Sequence, residues 1–279
     1  MARDSAPPPV ITFLSDYGYS DEFVGVCHGV ITRRCPNARI IDLTHMVPSH
    51  DVRAGAILLR SALPYLPTGI HLAVVDPGVS AVGPNARRAV ALRTVEQDRL
   101  LVGPDNGLLM AAAERLGGVA EAVDIGESPE RLQPVSRTFH GRDIFAPVAG
   151  ALAAGEPLDA VGEPLAPDRL RRMGIPLAQV SGGVLTAHVL RSDTFGNLIL
   201  NAANQQLLEV GAKLGDALAV DHRAATHTAS YEETFADVTP GELLIYEDAQ
   251  QMVSLAVNRG SAARLLGAEQ DDELLIRPA

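Results

Sequence analysis

Apolar positions in the first 165 residues fall into short, continuous runs. Val10–Leu14, Arg39–Leu43, Ile70–Val75, Ala89–Arg93 and Leu100–Gly103 read as strands. Between and after them, Glu22–Arg34, Asn106–Arg115 and Asp143–Ala154 read as helical, and Val52–Leu63 as a helix with its apolar face at 3.6 spacing. Strands that are apolar throughout, rather than alternating, are buried on both faces. The pattern predicts an α/β N-terminal domain, a mainly parallel sheet with flanking helices. It changes near residue 165. Pro164, Pro167 and Pro176 bracket a short basic segment, and Ser181-Gly182-Gly183 follows. Beyond it the runs are short and β-like: Val184–Leu190, Leu198–Asn201, Ala217–Val220, Glu242–Tyr246 and Met252–Val257. They predict a smaller all-β C-terminal domain, antiparallel and barrel-like or sandwich-like. The two domains are expected at 1–168 and 183–279.

Composition narrows the function classes. With 279 residues and 47% hydrophobic positions, the chain can bury two cores. No apolar run reaches bilayer length, which argues against a membrane partner, and MARDSAPPPV lacks the apolar segment of a signal peptide, so a cytoplasmic protein is expected. The net charge of −11 argues against nucleic acid, whose phosphates need a basic surface. Cys27 and Cys35 have no second cysteine pair to complete a structural zinc site, and the His and carboxylate spacings match no zinc motif. No metal and no cofactor are expected.

One stretch carries more than a turn requires. In LAVVDPGVSAVGPNARR, Asp76 closes one apolar run and Arg87 precedes the next. A tight turn needs Pro-Gly, not a facing acid and base. Asp16, Asp76 and Asp105 each follow a strand candidate, and ligands of open α/β sheets bind outside the carboxyl ends of the strands. Any one of these aspartates is explained by helix capping or turn formation. Several on one edge point to a site.

The segments FLSDYGYSDEFVGVCHGVI, VVDPGV followed by Arg87-Arg88, GPDNGLL, TFHGRDIFAP, DTFGN and NRGSA occur in register along nearly the whole chain. Together they resemble the S-adenosylmethionine hydroxide adenosyltransferases, which share a fold with fluorinase and chlorinase enzymes. The resemblance implies hydrolysis of S-adenosylmethionine to adenosine and methionine. It also implies a homotrimer, with substrate bound between the N-terminal domain of one subunit and the C-terminal domain of its neighbour. It places Asp76, Arg87 and His140 around the attacking water, with Arg88 as the alternative to Arg87. It assigns Asp16 to the ribose hydroxyls, with Asp21 and Phe23 in the adjacent loop, and His50 to the sugar and adenine. It assigns Asp193 to the methionine ammonium, Asn197 and Phe195 to the adenine, and Asn258 and Arg259 to the methionine carboxylate. Taken alone, His140 reads as a helix cap, and His28, His45 and His71 as surface or satisfied core histidines.

The implied chemistry suits these residue types. In a sulfonium substrate methionine is already a good leaving group, and what is missing is a nucleophile at ribose C5′. Water, with a pKa near 15.7, is a weak one. A guanidinium stabilises developing hydroxide, a carboxylate orients water or accepts its proton, and an imidazole can relay it. Two alternatives are kept. One is a halogenase, disfavoured by the Asp–Arg–His set, by Gly141 where the fluoride user presents a serine, and by the lack of a long insertion before Ala89. The other is a non-catalytic S-adenosylmethionine or adenosine-binding protein, which would not need that set.

Overall fold

The computed structural model describes residues 7–79, 81, 83, 86–174 and 176–279. Parts of the N-terminal decapeptide and of the loop between Asp76 and Arg87 read above lie outside the described residues. The chain splits into two compact units, Met1–Met173 and Gly174–Ala279.

The first unit carries strands β1 (Val10–Ser15), β2 (Arg39–Thr44), β3 (Ile70–Val74), β4 (Ala89–Thr94), β5 (Leu100–Pro104), β6 (Val119–Asp124) and β7 (Glu163–Pro164). Their spatial order is β2-β1-β3-β5-β4-β6-β7. The four strands β2, β1, β3 and β5 run parallel, and β4, β6 and β7 extend them antiparallel. Helices α1 (Phe23–Arg34) and α4 (Ala146–Ala153) cover one face, and α2 (Val52–Ala62) and α3 (Met110–Arg115) the other. Every residue of β3 is buried, which is why its sequence is apolar but for one position. Its one polar residue, His71, is satisfied on both ring nitrogens. Arg99 Nη1 donates to Nε2 at 3.1 Å, and Nδ1 bonds Thr12 Oγ1 at 2.8 Å. Burial, with the nearby Arg99 charge, pushes its pKa down to about 3, so the ring stays neutral.

Two helices begin later than the spacing predicts. Asn106–Leu109 is not helical, and α3 starts at Met110. Asn106 spends its side chain on the turn, donating to Val75 O at 2.8 Å and accepting from Leu108 N at 3.2 Å, and Gly107 adopts φ +97°. The stretch read as one helix from Asp143 opens with a π-helical turn, Gly141–Phe145, before α4.

The antiparallel β4 positions the candidate site. The parallel strands β1, β3 and β5 all end on one edge, and β4 starts there, with Ala89 opposite Pro104. Residues after β3 and before β4 therefore meet on one edge although eleven positions separate Asp76 from Arg87.

The second unit comprises β8 (Gln179–Ser181), β9 (Val184–Ser192), β10 (Leu198–Ala203), α5 (Asn204–Glu209), β11 (Ala217–His222), β12 (Ala225–Tyr231), β13 (Leu243–Glu247), β14 (Met252–Val257), α6 (Ala262–Leu266) and β15 (Glu273–Pro278). The order β10-β14-β13-β12-β11-β15-β9 closes through β9–β10 into a seven-stranded barrel, with β8 attached to β9. The β12–β13 pair is parallel and the other pairs are antiparallel. Closure removes the open edges that a flat sheet of this size would expose.

Candidate active site

A cleft of about 240 Å³ lies at the carboxyl edge of β1 and β3, lined by Asp16, Tyr17, Phe23, Ser49, His50, Asp76, Val79, Thr138, His140 and Gly141. At its base three residues from three separate segments interlock. Arg87 Nε donates to Asp76 Oδ1 at 2.9 Å and to Oδ2 at 3.1 Å, and Arg87 Nη2 also donates to Asp76 Oδ2. The same Nη2 donates to His140 Nδ1 at 2.8 Å. Both charged side chains are 6% exposed, and the guanidinium carbon lies 5.3 Å from the Phe145 ring centroid, a cation–π placement.

The geometry separates the two arginines. Arg88 turns away to Asp105, with Nη1 donating to Oδ2 at 3.1 Å and to Arg169 O at 3.3 Å. Asp105 is buried and also accepts Arg171 N at 2.7 Å. The third strand-end aspartate thus belongs to a structural ion pair and not to the cleft. Adjacent residues leaving a strand point to opposite sides, so only one member of Arg87-Arg88 reaches Asp76.

The histidine's proton inventory follows from its partner. A guanidinium nitrogen can only donate, so His140 Nδ1 accepts and the proton of the neutral ring is on Nε2. Burial lowers the pKa of His140 and the Arg87 charge lowers it further, against the opposing pull of Asp76 and Asp143. The ring is neutral at pH 7. In this arrangement Nε2 carries the N–H, on which the Ser136 backbone carbonyl also draws, and the ring is not a second base. The residue does not cap the helix with its side chain.

Other expected residues fall in several places. Asp16 lines the cleft, and its Oδ2 accepts the backbone N–H of His50 at 2.9 Å, with His50 held at φ +69°. Phe23 also lines the cleft, in edge-on contact with Phe139 at 5.1 Å. Asp21 is exposed and is not among the cleft residues. Sequence reasoning missed Tyr17, Ser49, Val79 and Thr138, although Tyr17 and Thr138 stand inside the quoted SDYG and TFHG segments. The Tyr17 hydroxyl occupies the position a Cβ on Gly141 would need. The glycine is thus required by packing, beyond the lack of a hydroxyl noted from the sequence. Burial raises the Tyr17 pKa well above 10, so the phenol stays protonated.

The remaining expected residues gather in the second unit, around a pocket of about 680 Å³ lined in part by Asp193, Phe195, Asn197, Tyr246, Asn258 and Arg259. Asp193 Oδ1 accepts the backbone N–H groups of Phe195 and Asn197, each at 2.9 Å, and Oδ2 accepts Asn197 Nδ2 at 2.8 Å. Asn197 is buried and one of its two amide N–H groups is engaged in that turn, which leaves its carbonyl oxygen and its second N–H for a ligand. Phe195 is 77% exposed. Asn258 Nδ2 donates to Val238 O at 2.7 Å, and Arg259 adopts φ +56° at the next position.

Comparison with known proteins agrees with both halves. The family descriptions "SAM hydroxide adenosyltransferase N-terminal domain" and "SAM hydroxide adenosyltransferase C-terminal domain" match residues 11–162 and 187–275. The chain belongs to the SAM hydroxide adenosyltransferase family. It is 49% identical to an "(R)-S-adenosyl-L-methionine hydrolase" of Salinispora tropica over 97% of this chain and 98% of that one. It is 30% identical to a "Fluorinase" of Actinoplanes sp. over 91% and 93%. A solved structure of an uncharacterised conserved protein from Thermotoga maritima superposes with a TM-score of 0.88 at 36% identity, covering 96% of this chain and 99% of that one. The family places the cleft and the pocket in an adenosyltransferase fold, and the distances above are this chain's own.

Proposed function

We propose that this chain hydrolyses S-adenosyl-L-methionine to adenosine and L-methionine by in-line attack of water on ribose C5′. The observation that carries the reading is the Asp76–Arg87–His140 cluster, buried at the base of the cleft. In it, Asp76 orients the water and accepts its proton through a lone pair that Arg87 does not use. Arg87 stabilises the developing hydroxide, and His140 holds the guanidinium through Nδ1 and donates through Nε2. One O–H bond breaks, the C5′–O bond forms, the C5′–S bond breaks, and the sulfonium charge is lost with the departing thioether. Holding the water in line contributes several kcal/mol of rate acceleration, by the entropy argument.

Asp16, with His50, serves the ribose end. Asp193, Asn258 and Arg259 serve the amino-acid end, where a guanidinium fork fits a carboxylate. The reading needs no cofactor. It includes the homotrimer implied by the resemblance, with neighbouring subunits supplying the two ends of the substrate, and a cytoplasmic location. The Salinispora tropica relative's name points to the (R) sulfonium epimer as the first substrate to offer.

The test is incubation of purified protein with each sulfonium epimer, with and without chloride or fluoride, and chromatography of the products. Adenosine with methionine supports the reading, a 5′-halogenated nucleoside would replace water by halide, and unchanged substrate would leave a binding protein. Sedimentation checks the trimer, and an active monomer would remove it.

A further inference from the structure

His28, Asp42 and His45 converge beside the end of β2, on residues that the proposed reaction does not use. His28 is on α1, Asp42 on β2, and His45 follows β2. One donor atom from each lies within 4.8 Å of the others. His28 Nε2 is 2.9 Å from Asp42 Oδ1 and His45 Nε2 is 3.1 Å from the same oxygen. His28 makes a hydrogen bond there. His45 Nε2 makes no hydrogen bond of good geometry, although the residue is completely buried and the Asp42 carboxylate lies within reach as a charge partner.

That orphan nitrogen separates His45 from the other buried histidine of this unit, His71, both of whose nitrogens are bonded. Buried polar atoms without partners are rare and ask for a reason. His45 Nδ1 is fixed by Ser15 Oγ at 2.7 Å. When Nδ1 carries the proton and donates to Ser15, the lone pair of Nε2 points into the space shared with His28 and Asp42. A metal-bound imidazole is held in this way, by a hydrogen bond from its other nitrogen.

We propose that His28 Nε2, His45 Nε2 and the Asp42 carboxylate form a binding site for one divalent transition-metal ion of the zinc type. Two imidazoles and a carboxylate suit such ions, with bonds of about 2.0–2.2 Å and donor separations of about 3.0–3.4 Å. The two nitrogen–oxygen separations are already near that scale. His28 and Asp42 are each about one-third exposed, which gives an ion a way in and leaves a position for water. The His45 carbonyl accepts Gly18 N at 2.7 Å, so a bound ion would brace the segment next to Asp16 and Tyr17.

The experiment strips the full-length protein with chelator, removes the chelator, and titrates Zn²⁺ and Co²⁺. Bound metal is counted by elemental analysis, Co²⁺ coordination is read by visible absorption, and Tm is recorded at each step. The expected result is one tightly bound ion per chain, a cobalt spectrum showing nitrogen ligation, and a Tm rise of several degrees. His28→Ala and Asp42→Asn, both at partly exposed positions that the fold tolerates, should each weaken binding at least tenfold. His227→Ala in the second unit should leave it unchanged. Absence of saturable binding in the wild type, or equal binding in the His28 and Asp42 variants, overturns the proposal and leaves the three residues as a structural hydrogen-bonding group.

Discussion

The cleft of the first unit and the pocket of the second both centre on an aspartate, yet the two carboxylates are built in opposite ways. Asp76 is held by Arg87 and, through it, by His140, partners eleven and sixty-four positions away that the sheet topology brings together. Asp193 is held by the N–H groups of residues two and four positions on. The first cluster exists only when the fold is complete, and it buries opposite charges that must compensate each other. The second is a local turn that forms wherever DTFGN can close on itself, and it leaves an exposed rim. A buried, long-range charge cluster can stabilise charge that develops during reaction, because its dipoles are fixed beforehand. A locally satisfied turn at the mouth of a wide pocket is suited to recognition.

The largest effect should come from separating Asp76 and Arg87. Asp76→Ala or Arg87→Met is expected to lower turnover by about 10²–10⁴-fold, while affinity for S-adenosylmethionine survives. Each single variant leaves a buried charge uncompensated and should also lose roughly 3–5 kcal/mol of stability in urea unfolding. The double variant should regain much of that stability and none of the activity. Full additivity of the stability losses would show that the pair is not coupled. Lost affinity at unchanged turnover would turn Asp76 into a binding residue.

Gly141→Ser tests packing against chemistry. A Cβ at 141 collides with the Tyr17 hydroxyl, and overpacking of this kind costs about 1–3 kcal/mol. The serine variant should therefore be destabilised and slower. Combining it with Tyr17→Ala should relieve the strain without creating halide transfer, because Asp76 and Arg87 remain to hold water. A 5′-halogenated product from either variant would show that the hydroxyl alone chooses the nucleophile.

The sequence made the first unit's parallel strands readable because double-sided burial forces continuous apolar runs. It hid β6, with VAEAVD, and β12, with ATHTASY, because small and polar residues dominate both. The β11–β12 turn runs through Arg223 at φ +52° with no glycine to announce it. Antiparallel β4 carried no mark of its direction, since register and direction are tertiary properties. Asp16 and Asp76 were legible at strand ends, His50 and His140 only through the family resemblance, and all four line one cleft. Asp105 looked equivalent in sequence, but its strand lies opposite Arg88, which claims it. Tyr17 was missed because its role is steric and shows only beside Gly141.

On the other side of the comparison, Asp193→Asn should have a smaller effect. Its oxygen can still accept from the N–H groups of Phe195 and Asn197, but its amide would face the Asn197 amide donor. The expected loss is about 1 kcal/mol of stability, with a raised KM and a turnover number within a few-fold of wild type. Thermal unfolding and initial-rate kinetics check this. A turnover loss as large as that of Asp76→Ala would erase the distinction between the two carboxylates.

The smallest effect concerns protonation of His140. Its pKa lies below 6.5, by burial first and then by the Arg87 charge. Above that lowered value Nδ1 accepts from Arg87. Below it the ring gains a proton, loses the acceptor and sets a second positive charge beside the guanidinium. The rate under saturating substrate should therefore fall on the acid side, with a midpoint below 6.5. The sign for stability is the same. Between the lowered pKa and 6.5 the unfolded chain binds more protons at this residue than the folded one, so its contribution to stability is complete above pH 6.5 and is lost as the pH falls. His140→Asn keeps an acceptor where Nδ1 was and removes the titration. It should flatten the acid limb and cost only a few-fold in rate at pH 7.5. If the profiles of the wild type and the His140→Asn variant superimpose at equal rates, the histidine has no part in the reaction, and Asp76 with Arg87 must activate the water by themselves.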